Sequence, residues 1–191
     1  MKVSEINNNP IAEAWKKRFS QLSEDKKLKI EELKNKKISE YQLKIIKKSK
    51  SYPEIGDIFK INPKENIYYS GIVLNNHINN KNGEDLLLII ILKNDEDLNI
   101  KITRKITNRD LLIPPCIVGK EYWTRGYFSN YNHLSKKINI EQYGFYGILD
   151  GLYYNEYDQK LNGIPEIISM GSVYTISGIA FDINKEIIIN S

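Results

Sequence analysis

Residues Leu86 to Leu92 read LLLIIIL, seven consecutive large aliphatic side chains with no polar interruption. Side chains alternate across a β-strand, so such a run is apolar on both faces and must be covered on both. It is far too short to span a bilayer, which needs about 20 apolar residues in a helix. The run is therefore expected to be a fully buried strand in the middle of a sheet. Whatever else the chain does, it has to supply two apolar layers around these residues.

The rest of the chain offers many short strand-like runs. Ile55 to Ile61 alternates around the Gly56-Asp57 turn, and Ile67 to Leu74 is a second strand with Gly71 inside it. A glycine there marks a bulge or a close approach. Asn75 to Gly83 reads as a long polar loop, and Asn94 to Asp97 as a turn before an alternating strand through Ile100, Ile102 and Ile106. Leu111 to Val118 contains Pro114-Pro115, which demotes it to an edge or an extended segment. Tyr122 to Phe128 and Tyr143 to Leu149 read as aromatic strands, and Val173 to Phe181 with Ile187 to Ile189 as the closing ones. Many short strands with turns between them predict an α+β fold: a mainly antiparallel, strongly bent sheet or barrel with an N-terminal helical segment.

That segment covers residues 1–52, and the β body covers 53–191. Asn9-Pro10 is a helix start, followed by Ile11, Trp15, Phe19 and Leu22 on one face. Ser23 caps a second helix with sparse apolar positions, Leu28 and Leu33. Ser39-x-x-Gln42 has the form of a capping box and opens a third helix with Tyr41, Ile45 and Ile46 turned inward. The Trp15/Phe19 helix or this third helix is expected to cover the outer face of the 86–92 strand, with the arm packed on the body.

Charge divides the same way. Residues 1–52 carry a net +7 and residues 53–191 a net −3, and the last quarter of the chain is acidic. The basic character belongs to the arm, which argues against nucleic-acid binding by the body. Met1 to Asn9 is polar with no apolar core behind it, so a secretory leader is not expected and the location is read as cytoplasmic. The single cysteine, Cys116, reads as a small buried apolar residue.

Catalytic raw material is thin. His77 and His133 lie in asparagine-rich stretches, without metal-ligand spacing, and no nucleophile elbow, phosphate loop or zinc-protease pattern occurs. Asp95-Glu96-Asp97 reads as a solvated turn. No catalytic residue, metal or cofactor is assigned. Thirteen tyrosines are more informative, because tyrosine suits both sheet surfaces and protein interfaces. Two clusters are candidate partner-binding residues. One is Asp150, Tyr153, Tyr154, Glu156, Tyr157 and Asp158, which mixes acids with tyrosines. The other is Trp123, Arg125 and Tyr127, read as one face of a strand and made of the commonest interface anchor types.

From Tyr52 onward a series of short patterns follows in order: Tyr52-Pro53-x-Ile55-Gly56-Asp57-Ile58-Phe59, Tyr68-Tyr69-Ser70-Gly71-Ile72-Val73-Leu74 and Leu112-Ile113-Pro114-Pro115, then Trp123-x-x-Gly126-Tyr127-Phe128, Tyr143-Gly144-Phe145-Tyr146 and Thr175-x-x-Gly178-Ile179-Ala180. In these patterns the chain resembles the immunity protein 26 family of bacterial polymorphic-toxin systems. The resemblance implies a small, mostly β, non-catalytic antidote that binds a cognate toxin. An acidic body would complement a basic toxin such as a nuclease. Two rival classes stand beside it: a nucleic-acid-binding barrel using the lysine-rich arm, and an ester or organophosphate hydrolase, a label some relatives carry. A homo-oligomer through the Pro114-Pro115 edge is a further expectation, although proline blunts edges.

Overall fold

In the computed structural model, which describes residues 9–93 and 103–191, the 86–92 run lies inside a five-stranded antiparallel sheet. The strands are β1 (Asp57–Lys64), β2 (Ile67–Asn80), β3 (Gly83–Leu92), β4 (Leu111–Val118) and β5 (Phe128–His133), in the order β4-β3-β2-β1-β5. The sheet bends but does not close into a barrel; β4 and β5 remain its two edges. A three-stranded sheet follows, β7-β6-β8, from β6 (Tyr143–Tyr146), β7 (Tyr153–Tyr154) and β8 (Ile167–Met170). Among the described residues the helices are α1 (Pro10–Ser20), α2 (Glu24–Asn35), the single turns α3 (Ile38–Tyr41) and α4 (Glu121–Thr124), and α5 (Ile176–Asn190), with a short 3-10 turn at Asn108–Asp110.

All seven residues from Leu86 to Leu92 are buried, and they alternate between two cores. Leu87, Ile89 and Ile91 join Phe59, Phe128, Trp123 and the α5 residues Ile179, Ala180 and Ile183 on one face. Ile90 and Leu92 on the other face join Ile106, Leu111 and Ile167, while Leu86 and Leu88 meet Phe145. The second face is thus covered by the small sheet and the segments leading to it, where a barrel interior was one expectation.

The cover on the first face departs from the sequence reading. It is α5, formed by residues expected to be strands. Ile176, Ile179, Ala180 and Ile183 fall at helical spacing, and the Thr175 hydroxyl caps the helix by accepting the Gly178 N–H at 3.1 Å. Tertiary burial of this stripe outweighs the β-propensity of its isoleucines. The N-terminal helices pack largely on α5, with α1 also against β8 of the small sheet. Arg18 pairs with Glu186, Lys26 donates to the Ile189 carbonyl at 2.7 Å, and Asn184 donates to the Tyr41 carbonyl at 2.9 Å. No α1 residue is fully buried, whereas α2 buries Ile30 and Leu33.

Several boundaries also move. The expected 75–83 loop is mostly strand: β2 runs on to Asn80 and turns tightly at Lys81-Asn82 into β3. The third helix stops after one turn, and residues 42–50 continue as extended chain with Leu43 buried and Ile45 exposed. Tyr122 to Thr124 lie in the helical turn α4, closed by Gly126 at φ +85°, and only Phe128 of the run is in a strand, so Trp123, Arg125 and Tyr127 do not share a strand face. Trp123 is a core residue at 1% exposure, Arg125 is exposed and Tyr127 half-buried. Gly71 is a close approach: a Cβ there would lie 2.2 Å from the Phe59 ring. Cys116 is buried, and burial pushes its thiol pKa up. Asp95-Glu96-Asp97, Ile100 and Ile102 lie outside the described residues.

The Pro114-Pro115 strand is an edge, as its prolines predict. It is not bare. The Ser169 hydroxyl donates to the Pro115 carbonyl at 2.5 Å, and Val173 pairs with Ile117.

Candidate partner-binding surface

The β6–β7 hairpin projects a turn at residues 147–152. Gly147 N–H donates to the Leu152 carbonyl at 2.8 Å, and Gly151 takes φ +72°. At its tip Leu149 is 96% exposed and Ile148 56%. Asp150 closes the turn from inside, accepting the Leu152 N–H at 3.1 Å and a short hydrogen bond from the Tyr154 hydroxyl. That bond holds the Asp150 carboxyl below its ordinary pKa and pushes the Tyr154 phenol up. Tyr153 packs its ring 5.6 Å from that of Tyr146.

A second turn, 155–158, lies against the β2–β3 hairpin. Asn155 organises it by accepting the N–H groups of Tyr157 at 3.0 Å and Gln159 at 2.9 Å. The Asp158 carboxylate accepts the Lys81 N–H at 2.6 Å. Asn80 donates to the Glu156 carbonyl at 3.0 Å. Lys81 extends its ammonium group over the Tyr154 ring, 5.0 Å from the centroid. Between the two turns is a cavity of about 180 Å³ lined by Lys81, Ile148, Leu149, Tyr154, Asp158 and Met170, among others.

Five of the six residues singled out in the 150–158 stretch thus surround one surface. Asp150, Tyr153, Tyr154 and Asp158 are at the cavity or its hairpin, and Tyr157 is 45% exposed beside them. Glu156 is different: at 8% exposure it points inward and accepts from Asn75 at 3.0 Å and the Tyr143 hydroxyl at 3.1 Å. Burial first, and the neighbouring Glu156 carboxylate second, raise the pKa of Tyr143 well above the tyrosine range. Sequence reasoning missed Lys81, Ile148, Leu149 and Met170. The signal available was Ile148-Leu149 directly before the Asp150-Gly151 turn, two large aliphatics where a hairpin tip must be.

Both histidines have an aspartate partner. Asp85 lies 2.7 Å from His77 Nδ1, and Asp57 lies 2.9 Å from His133 Nδ1. Tyr52 stacks on His77 with ring centroids 4.3 Å apart, and partial burial pushes its phenol up to about 12. Asp57 continues a chain in which Asn130 donates to it at 2.6 Å and Trp123 donates to Asn130 at 2.6 Å. Each acid orients an imidazole, but among the described residues no serine, threonine or cysteine hydrogen-bonds either ring. No group of three or more His, Cys, Asp or Glu side chains suited to a metal ion occurs among the described residues. Each pair ties neighbouring strands together, His77 of β2 to Asp85 of β3 and His133 of β5 to Asp57 of β1.

A family profile described as immunity protein 26 matches residues 54–150, just over half of the chain. No curated protein and no solved structure matches it. The matched stretch runs from the entry to β1 through the five-stranded sheet and β6 to Asp150 at the hairpin tip, leaving the N-terminal helices and α5 outside. The closing Thr175-x-x-Gly178-Ile179-Ala180 pattern also lies beyond it. This chain belongs to the immunity protein 26 family.

Proposed function

We propose that this protein is a cytoplasmic antidote that binds a cognate bacterial toxin and neutralises it without catalysis, through the surface formed by the 147–152 and 155–158 turns. Family membership supports the antidote role. The observation that carries the choice of surface is Leu149: a leucine 96% exposed on an ordered hairpin, beside an apolar-walled cavity and flanked by Asp150, Asp158 and three tyrosines. A large aliphatic held clear of the protein gains free energy only when a partner covers it, and a full burial stabilises by roughly 1.5–3 kcal/mol. Tyr153, Tyr154 and Tyr157 add amphipathic contact area, and the acids fit a basic partner such as a nuclease. No helix among the described residues is long and apolar enough to cross a membrane.

The test is co-expression with the toxin encoded beside the gene, followed by titration calorimetry on the purified pair. Protection of cells and a binding isotherm are expected. Leu149→Asp should weaken binding at least tenfold with an unchanged melting temperature. Wild-type affinity in that variant would overturn the choice of surface, and a toxin that kills despite co-expression would overturn the antidote reading.

A further inference from the structure

Residues 42–50 form an extended strap after α3, and the stretch from Tyr41 to Pro53 contains no acidic residue. The strap is fastened to the body at several points. Leu43 is buried at 3% exposure in the helix-side core. Lys44 N–H donates to the Asn62 carbonyl at 2.8 Å, Ile46 N–H to the Gly126 carbonyl at 2.7 Å, and Ser49 N–H to the Trp123 carbonyl at 3.0 Å. Gly126 permits the close approach, since a Cβ there would lie 3.0 Å from the Lys47 carbonyl carbon and the Lys48 nitrogen. The backbone is therefore fixed although it belongs to no helix or strand.

Apart from Leu43, most of its side chains reach water. Lys44, Lys47, Lys48 and Lys50 are exposed, with exposed Arg125 next to Gly126. Among the described residues none of these five has a carboxylate within ion-pair distance. The contrast is α2, where Lys27, Lys29 and Lys34 each pair with an acid of their own helix. Amid the unpaired cations stand Ile45 at 61% exposure and Ile46 at 36%. Lysines alone would serve a nucleic acid or an acidic protein. Adjacent exposed aliphatics inside a polybasic patch fit a medium that is anionic at its surface and apolar just below it.

We propose that the 44–50 strap is a peripheral docking site for anionic phospholipid bilayers. Ile45 and Ile46 enter the boundary between headgroups and acyl chains, and Lys44, Lys47, Lys48, Lys50 and Arg125 engage lipid phosphates. The strap itself shares no residue with the hairpin surface and precedes the stretch matched by the family profile, within which only Arg125 of this site falls, so the proposal does not rest on the antidote reading.

The experiment is co-sedimentation of the full chain with vesicles of phosphatidylcholine alone or of phosphatidylcholine and phosphatidylglycerol in equal parts. At least tenfold higher partitioning onto the anionic vesicles is expected, falling as salt rises. Ile45→Ser with Ile46→Ser should lower it severalfold at unchanged charge, and Lys47→Ala with Lys48→Ala should lower it further. Thermal melts of each variant confirm that the strap is still folded on the body; should the double isoleucine variant melt early, Ile45→Ser alone carries the comparison. Equal binding to both vesicle types would overturn the proposal. So would unchanged anionic partitioning in the isoleucine variant, which reduces the strap to simple charge attraction. Binding to single-stranded RNA with no binding to either vesicle would assign the strap to nucleic acid instead.

Discussion

Arg18 and Glu186, 168 residues apart in sequence, meet in a two-pronged ion pair: the two guanidinium nitrogens Nη1 and Nη2 donate to the two carboxylate oxygens at 2.6 and 2.7 Å. The Glu186 side chain is only 8% exposed, so removing its partner would leave a largely desolvated carboxylate unpaired, whereas Arg18 is 42% exposed and partly screened. Arg18→Ala should cost about 1–2 kcal/mol in urea unfolding, below the full penalty of a buried pair because water reaches the site. Glu186→Gln, which removes the charge with the shape kept, should cost less.

The weight of the helical layer lies in α5 and not in α1. Ile183 is 0% exposed against the sheet, and Ile183→Ala should destabilise by roughly 2–5 kcal/mol. Trp15 is only half-buried, held by Phe19 at 5.6 Å and the Lys185 ammonium at 4.8 Å, so Trp15→Ala should cost clearly less. Chemical denaturation of the two variants side by side gives the order. A larger loss for Trp15→Ala would return α1 to the core position that its amphipathic spacing suggests.

What was legible depended on how local each cause is. The 86–92 run dictates its own burial, since seven aliphatics cannot be satisfied by anything but two covered faces, and Pro114-Pro115 dictates an edge by lacking donors. Asn9-Pro10 and Ser23 start helices through their own side chains, as their bonds to Ile11 and Lys26 show. The C-terminal helix was misread because isoleucine favours strands, although Ile176, Ile179, Ala180 and Ile183 already had helical spacing. Trp123 was misplaced because Gly126, not the aromatic run, decides the backbone there. In the site, Asp150 to Asp158 stood out by composition. The contribution of Lys81 comes from a hairpin some 70 residues earlier in the chain, which no local pattern announces.

Gly71 lies on β2 beneath the Phe59 ring, and that ring cannot easily retreat. It stacks on Phe128 at 4.6 Å and meets Trp123 edge-on at 5.3 Å. A methyl at position 71 would also sit 2.8 Å from the Ile90 carbonyl oxygen. Gly71→Ala should therefore destabilise by about 1–3 kcal/mol through overpacking, read as a lower melting temperature. Phe59→Leu in the same chain should recover part of that loss, because the two changes share one space.

Acid sensitivity should centre on Asp110. The Arg104 guanidinium donates to it at 2.9 and 2.6 Å, and Thr107 adds its N–H at 2.7 Å and its hydroxyl at 2.9 Å. These bonds, the guanidinium first, hold the carboxyl well below the usual carboxylate range. A depressed folded pKa stabilises the protein above the unfolded value near 4 and is lost as pH falls from about 5 toward the folded value. Melting temperatures across that window should fall for the wild type and fall less steeply for Asp110→Asn, which starts less stable at neutral pH.

The last expectation concerns Glu156, the one acid of the 150–158 stretch that faces inward. Its carboxylate accepts from Asn75 and Tyr143 with no ion-pair partner among the described residues, and Asn75 also donates to the Tyr157 hydroxyl at 2.7 Å. Glu156 thereby fixes the turn that presents Tyr157 and Asp158. Glu156→Ala strands the Tyr143 hydroxyl and one bond of Asn75, and should cost about 1–3 kcal/mol. Glu156→Gln keeps an acceptor for one of the two donors and should cost less. Partner affinity should follow the same order, since the turn loosens in the alanine variant while its outward side chains are unchanged. Toxin binding by the two variants, measured at a temperature where both are folded, separates this positioning role from direct contact. Affinity lost equally in both would mean that the charge of Glu156 itself reaches the partner.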